Sequence, residues 1–161
     1  GPFVYGTDGK GKNNLIVPTR GLRQNFAPDA ELLTDQAGNS RTINDLFMNG
    51  PEIFSFTLKV VPSVVARLLE RAGVSMNDID LFVFHQANLF MLQHLQKKLA
   101  IPDDRFLIAF DDVGNTVSSS IPIALKKAIM ANKIRKNSLL MLVGFGVGYS
   151  WGATLVRWEG E

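Results

Sequence analysis

Three stretches hold the residues whose types and spacing could do chemistry. His85 stands in Phe84-His85-Gln86-Ala87-Asn88-Leu89-Phe90, directly after an apolar run from Ile79 to Phe84. A neutral imidazole at such a place can donate a hydrogen bond to a carbonyl oxygen that is gaining charge. Asn115 follows thirty positions later, in Gly114-Asn115-Thr116. Its amide N–H₂ keeps its hydrogens at every pH and can serve the same oxygen. The third stretch is Gly144-Phe145-Gly146-Val147-Gly148-Tyr149-Ser150-Trp151-Gly152. Its glycines let backbone N–H groups approach a ligand closely, as an oxyanion hole or an anion nest. Each stretch also has a plainer reading. A lone histidine after a buried strand is more often a satisfied core residue. Gly114-Asn115-Thr116 suits a helix cap, and the glycines suit a tight hairpin. The G-x-G-x-x-G spacing of a dinucleotide site is absent. His94 falls on a helical pattern and reads as surface or packing.

Hydrophobic periodicity gives the elements that must position these residues. Phe3 to Tyr5 reads as a strand ended by Gly6-Thr7-Asp8-Gly9, and Asn14 to Pro18 as its possible continuation. Residues 19–46 are polar and irregular and read as an excursion, either a variable loop or a flap. Asn49-Gly50-Pro51-Glu52 opens a helix, with Pro51 suited to its first turn and Glu52 to its positive end. Apolar residues recur at helical spacing from Ile53 to Ala72; Pro62 predicts a kink and Gly73 a C-cap. A strand over Ile79–Phe84, a helix over about Asn88–Leu99, a strand over Arg105–Phe110 and a helix from about Ile121 follow. Leu139–Val143 and Ala153–Trp158 are the last two strands, paired antiparallel across the glycine-rich turn. Alternating strands and helices predict an α/β fold: a mixed, mostly parallel sheet of about five strands, helices on both faces, the last strand antiparallel. Parallel neighbours place their carboxyl ends on one side, where His85 and Asn115 can converge.

Composition narrows the function classes. The chain has 161 residues, 46% of them hydrophobic, which suits one globular domain over 1–161 with a real core. Its formal net charge of +2, without a basic run bearing interleaved aromatics, gives no reason to expect nucleic acid. No apolar run approaches the roughly 18 residues that span a bilayer, and no signal-peptide pattern opens the sequence. A cytoplasmic location away from membranes is therefore expected. Cysteine is absent and histidine occurs twice, so thiolate ligands, a cysteine nucleophile within the chain and a histidine-rich metal site are not expected.

Together these stretches resemble one family. His85-Gln86-Ala87-Asn88, Gly114-Asn115-Thr116 with Ser120-Ile121-Pro122, Gly144-Phe145-Gly146 with Trp151-Gly152-Ala153, and Met48-x-Gly50-x-Glu52-x-Phe54 are similar to the C-terminal half of ketoacyl-acyl-carrier-protein synthase III. The resemblance runs over nearly the whole chain and is weakest between Thr19 and Leu46. It implies one half of a thiolase-like fold and a Cys-His-Asn site whose cysteine lies in the other half. It also implies a decarboxylative Claisen condensation that joins an acyl thioester to a malonyl thioester, with no cofactor. In that reading His85 and Asn115 hold the donor thioester oxygen. Gly146, Val147 and Gly148 form the active-site loop, whose backbone N–H near Val147 helps hold the acyl oxyanion. Gly50 and Asn88 line the pantetheine path, and Phe145 borders the acyl pocket. The implied partners are the N-terminal half with its cysteine, a second copy in a homodimer, and acyl-carrier protein or CoA thioesters. Asn115 separates this family from elongating synthases, which resemble it but carry a second histidine there.

Two positions depart from the family pattern. Phe90 stands where the typical bacterial member has arginine, and Ser55 where it has lysine, both on the implied carrier-docking surface; Lys97 and Lys98 match. A specialised carrier is therefore expected. The apolar helices Ile53–Leu69 and Ile121–Ile129 are the expected faces toward the missing half. The other functional class is a noncatalytic pairing module of a condensing-enzyme paralogue; intact His85 and Asn115 favour the enzyme.

Overall fold

The computed structural model describes residues 1–36 and 38–160. In chain order the elements are β1 (Phe3–Thr7), β2 (Leu15–Ile16), β3 (Leu33–Thr34), β4 (Ser40–Arg41), β5 (Phe47–Met48), α1 (Gly50–Ala72), β6 (Leu81–Phe84), α2 (Leu89–Lys98), α3 (Ser120–Met130), β7 (Leu139–Gly146) and β8 (Ser150–Arg157). Four of the strands form the main sheet, in the order β1-β8-β7-β6.

Alternation along the strands splits the core in two. Phe82, Phe84, Met141, Val143 and Phe145 point to one face and pack with Val61, Val64, Val65 and Leu68 of α1 and with Leu92 and Leu95 of α2. Leu81, Val83 and Leu140 point to the other and pack with Ala124 and Ala128 of α3. A strand buried on both faces has to be apolar throughout, which is why Leu81-Phe82-Val83-Phe84 shows no polar alternation. Helices thus cover both faces, as expected.

The sheet is mixed, and its balance differs from the expectation. β6 and β7 run parallel, while β1–β8 and β7–β8 are antiparallel. The expected strand over Arg105–Phe110 does run beside β6 in the parallel sense, through a single bridge, Phe82 to Phe106, and a bond from Leu107 N to Phe82 O of 3.0 Å. A backbone ladder does not continue from there. The buried side chain of Gln86 takes it over: Nε2 donates to Phe84 O at 2.7 Å and Leu107 O at 3.2 Å, and Oε1 accepts from Ala109 N at 2.8 Å. A side-chain amide has the donor and acceptor of a peptide group, so it can stand in for one.

The helix signals act as expected. Asn49 Oδ1 accepts from Glu52 N at 3.3 Å at the start of α1, and Gly73 closes it at φ 66°, a left-handed cap natural to glycine. The helix continues through Pro62 as one element. Asn88 caps α2 by accepting from Met91 N at 2.8 Å. Residues 19–46 hold the short β3–β4 hairpin, and the β2–β5 pair closes the loop at its base.

The uncovered faces correct one expectation. The apolar stripe of Ile53–Leu69 is core, packed on β1, β7, β8 and α2. The open side is instead the face of β1 opposite Val4: Val4 is 5% exposed, Phe3 61% and Tyr5 80%. On α3, Ile121, Leu125 and Ile129 are half-buried and Met130 is exposed, so that helix keeps part of its expected open face.

Candidate active site

His85 sits one residue past β6, where its N–H continues the ladder to Val143 O at 2.8 Å. The ring is half-buried. Its Nδ1 lies 2.7 Å from Ser120 Oγ, and Phe145 meets it edge-on at 5.4 Å and 80°. Burial pushes the imidazole below its ordinary pKa of 6.5, and a hydrogen bond with the Val117 backbone opposes this only in part. Burial thus favours the neutral form of the ring.

Asn115 arrives on the loop that follows Phe110. Gly114 turns it at φ 64°, and Gly114 N donates to Phe110 O at 2.7 Å. Asn115 Oδ1 accepts from Val117 N at 2.9 Å. A backbone N–H can only address the oxygen of an amide, so the amide orientation is set and the N–H₂ end is left for a ligand. Val117 itself has φ 55°, a left-handed conformation that costs a β-branched residue about 1–3 kcal/mol and tends to persist at working sites. Asp112 pairs with Lys127 of α3 and ties the loop to that helix.

Tyr149 anchors the glycine-rich turn. Tyr149 stacks on Phe56 at 3.9 Å, its hydroxyl accepts from Asn14 Nδ2 at 2.5 Å, and its backbone pairs with Asp8. A Cβ on Gly11 would overlap the Tyr149 ring, so glycine is required there for the anchor to seat. Val147, two residues away, stays exposed.

These pieces line one cavity of about 540 Å³. Among the expected residues, His85, Asn115, Phe145, Gly146 and Val147 border it. Gly148, Gly50 and Asn88 do not. Asn88 spends its side-chain oxygen on the cap of α2, and Gly50 is the first residue of α1. Phe90, Lys97 and Lys98 are exposed on α2. Phe90 rests on Phe54 and His94, at 5.2 and 4.1 Å between ring centres. Ile121 and Trp151, legible in sequence only as parts of motifs, also line the cavity; Val117 and Leu15 line it too and drew no functional reading, being apolar residues whose spacing does not separate them from core residues. Ser120 was legible only as part of a motif. Among the described residues, no three His, Cys, Asp or Glu side chains gather as a metal site, and no helix is long and apolar enough to cross a membrane.

The arrangement supplies two hydrogen-bond donors and a glycine-rich backbone turn around one apolar hollow. The chain, without cysteine, supplies no thiol. The chain matches known proteins over nearly all its length. Residues 69–158 match the family described as 3-oxoacyl-[acyl-carrier-protein (ACP)] synthase III C terminal. The β-ketoacyl-[acyl-carrier-protein] synthase III of Symbiobacterium thermophilum is 34% identical over 155 residues, covering 96% of this chain and 44% of that protein. A crystal structure of a 3-oxoacyl-(acyl-carrier-protein) synthase III superposes with a TM-score of 0.95 at 46% identity, over 98% of this chain and 47% of the other. The 3-oxoacyl-(acyl-carrier protein) synthase of Burkholderia xenovorans superposes at 0.84 with 40% identity, over 98% and 44%. The chain spans about half the length of the relatives it matches, and its fold is the thiolase-like half that the resemblance implied. It belongs to the 3-oxoacyl-[acyl-carrier-protein] synthase III family and corresponds to the C-terminal half of such an enzyme.

Proposed function

We propose that this half supplies the two oxygen-holding donors of a decarboxylative condensing enzyme. The observation that carries the reading is that His85 and Asn115, from separate loops, border one cavity with a ring N–H and an amide N–H₂ to offer. A cysteine of the other half attacks an acyl thioester and keeps the acyl group. A malonyl thioester then binds with its carbonyl oxygen between His85 and Asn115. Loss of CO₂ leaves its bonding electron pair on the α-carbon, delocalised onto that oxygen as an enolate. Two fixed donors stabilise the charge as it forms, which is where hydrogen bonds accelerate a reaction most. The carbon then attacks the acyl carbonyl, whose oxyanion is held by the Val147 N–H and a backbone N–H of the other half. Collapse expels the cysteine thiolate. Phe145 borders the acyl group, and the free N–H₂ end of Asn88, with Gly50, serves the pantetheine arm. The enzyme works as a homodimer and takes its substrates as carrier-protein or CoA thioesters.

The test uses the enzyme with both halves. His85→Ala or Asn115→Ala should lower malonyl decarboxylation by about 10²–10³, the usual cost of one lost oxyanion donor. Acyl loading, which uses the cysteine and the backbone N–H groups, should largely persist. Equal losses in both half-reactions would show that the roles are misassigned.

A further inference from the structure

We propose that Ser120 is a positioning residue for His85: its hydroxyl proton goes to His85 Nδ1 and fixes the ring in the tautomer that carries its own proton on Nε2. The inference rests on the donor role of His85 given above. Its ground is a proton inventory. Among the described residues, Ser120 Oγ has two hydrogen-bond partners, His85 Nδ1 at 2.7 Å and Gln86 N at 3.3 Å. A backbone N–H can only donate, so it occupies a lone pair of the hydroxyl oxygen. The single hydroxyl proton then has one acceptor to go to, Nδ1. A ring that accepts at Nδ1 must carry its proton at Nε2 to remain neutral, and the bond made at one ring nitrogen sets the state of the other. A proton on Nε2 is thereby present before any ligand arrives, beside the hydrogen bond that the ring makes with the Val117 backbone.

Three further observations fit this role and disfavour others. Ser120 is the first residue of α3, and its hydroxyl turns back to His85 while Ser119, at the capping position, makes no cap bond. Ser120 is 3% exposed. A hydroxyl so buried, with its oxygen already bonded to the Gln86 N–H, is poorly placed as a nucleophile even though it pairs with a histidine. Phe145, edge-on to the ring, holds the imidazole plane against the Ser120 bond.

The experiment compares wild type, Ser120→Ala, Ser120→Thr and His85→Ala in the enzyme with both halves. Nitrogen NMR of the His85 ring should show Nδ1 as the unprotonated nitrogen in wild type and a mixture of tautomers in Ser120→Ala. Malonyl decarboxylation by Ser120→Ala should fall about tenfold in kcat, the size of one lost hydrogen bond. KM and acyl loading should stay within about twofold, because the wrong tautomer removes the donor without blocking the site. Ser120→Thr keeps the hydroxyl and should restore the wild-type ring state. If the extra methyl prevents folding, the ring spectrum of Ser120→Ala decides alone. An unchanged tautomer in Ser120→Ala overturns the proposal. Full decarboxylation by His85→Ala would instead overturn the donor role of His85, leaving the ring spectrum to judge Ser120 separately.

Discussion

At the scale of single residues, the site depends on keeping polar groups in one chemical state. His85 is the titratable member, and burial lowers its pKa below 6.5. The sign of the pH effect follows. As pH falls through 6.5, the unfolded ring takes a proton that the folded ring still refuses. The unfolded state then binds more protons, so the fold loses stability with acid in that window and stops losing it once the folded ring also titrates. Replacing His85 by Gln removes this dependence. Urea unfolding of the whole enzyme at about pH 7 and about pH 5.5 should show a smaller acid loss for His85→Gln than for wild type. An equal loss would mean that other groups carry the acid sensitivity. The lowered pKa values of Asp45, Asp78 and Asp112 act in a lower window, below the usual 3.8, where their hydrogen-bonded carboxylates finally protonate.

At the scale of elements, Gln86 joins the two loops that the site needs. Its side chain fastens residues 107–109 beside β6, and that segment leads into the Asn115 loop. Gln86→Leu has similar bulk but leaves Leu107 O and Ala109 N inside the protein without their partner. One buried unsatisfied group costs about 1–3 kcal/mol, so a loss of roughly 2–6 kcal/mol is expected for the two. Hydrogen exchange at the Ala109 amide should accelerate with it, and decarboxylation should fall because Asn115 loses its fixed approach. A variant with unchanged exchange at Ala109 would show that the single Phe82–Phe106 bridge suffices. The helix start at Asn49 and the αL cap at Gly73 matter differently: they set where α1 begins and ends, and so how its stripe from Val61 to Leu68 meets the sheet.

At the scale of the whole molecule, the chain is unfinished on one side. Phe3 and Tyr5 stand exposed on β1, and α3 leaves apolar residues half-covered. Large apolar patches are uncommon on soluble monomers. The isolated chain should self-associate in sedimentation experiments and should show no malonyl-dependent condensation; a dilute monomer or measurable turnover would contradict the two expectations in turn. The α2 surface carries the other whole-molecule question. Phe90, 60% exposed, forms an aromatic cluster with Phe54 and His94, beside exposed Lys97 and Lys98. Cationic side chains steer an acidic carrier and set the salt dependence of docking. Phe90→Arg in the whole enzyme should strengthen binding of the general fatty-acid carrier and make it more sensitive to salt. Tight binding by wild type, or no change in the variant, would remove the case for a specialised carrier.

What the sequence determined by itself was local. Apolar runs and helical spacing located α1, β6, α2, α3, β7 and β8, because each element must bury a face whose period the chain spells out. Asn49, Pro51, Gly73 and Asn88 marked helix ends through bonds made within a few residues. The motifs around His85, Asn115 and Gly146 were legible because polar and glycine residues interrupt apolar patterns there. Only the tertiary structure decided what depends on distant partners. Two of the three pairings in the main sheet are antiparallel, and the one not expected joins β1 to β8 across the length of the chain, which no local pattern records. Arg105–Phe110 looked like a full strand, since its apolar residues do face the core, but its ladder passes to a glutamine side chain that comes from another element. Ser120 was legible in sequence only as a member of a motif, with no role of its own. Its 2.7 Å approach to His85 exists only once α3 is laid against β6, and that contact decides which ring nitrogen is left to work.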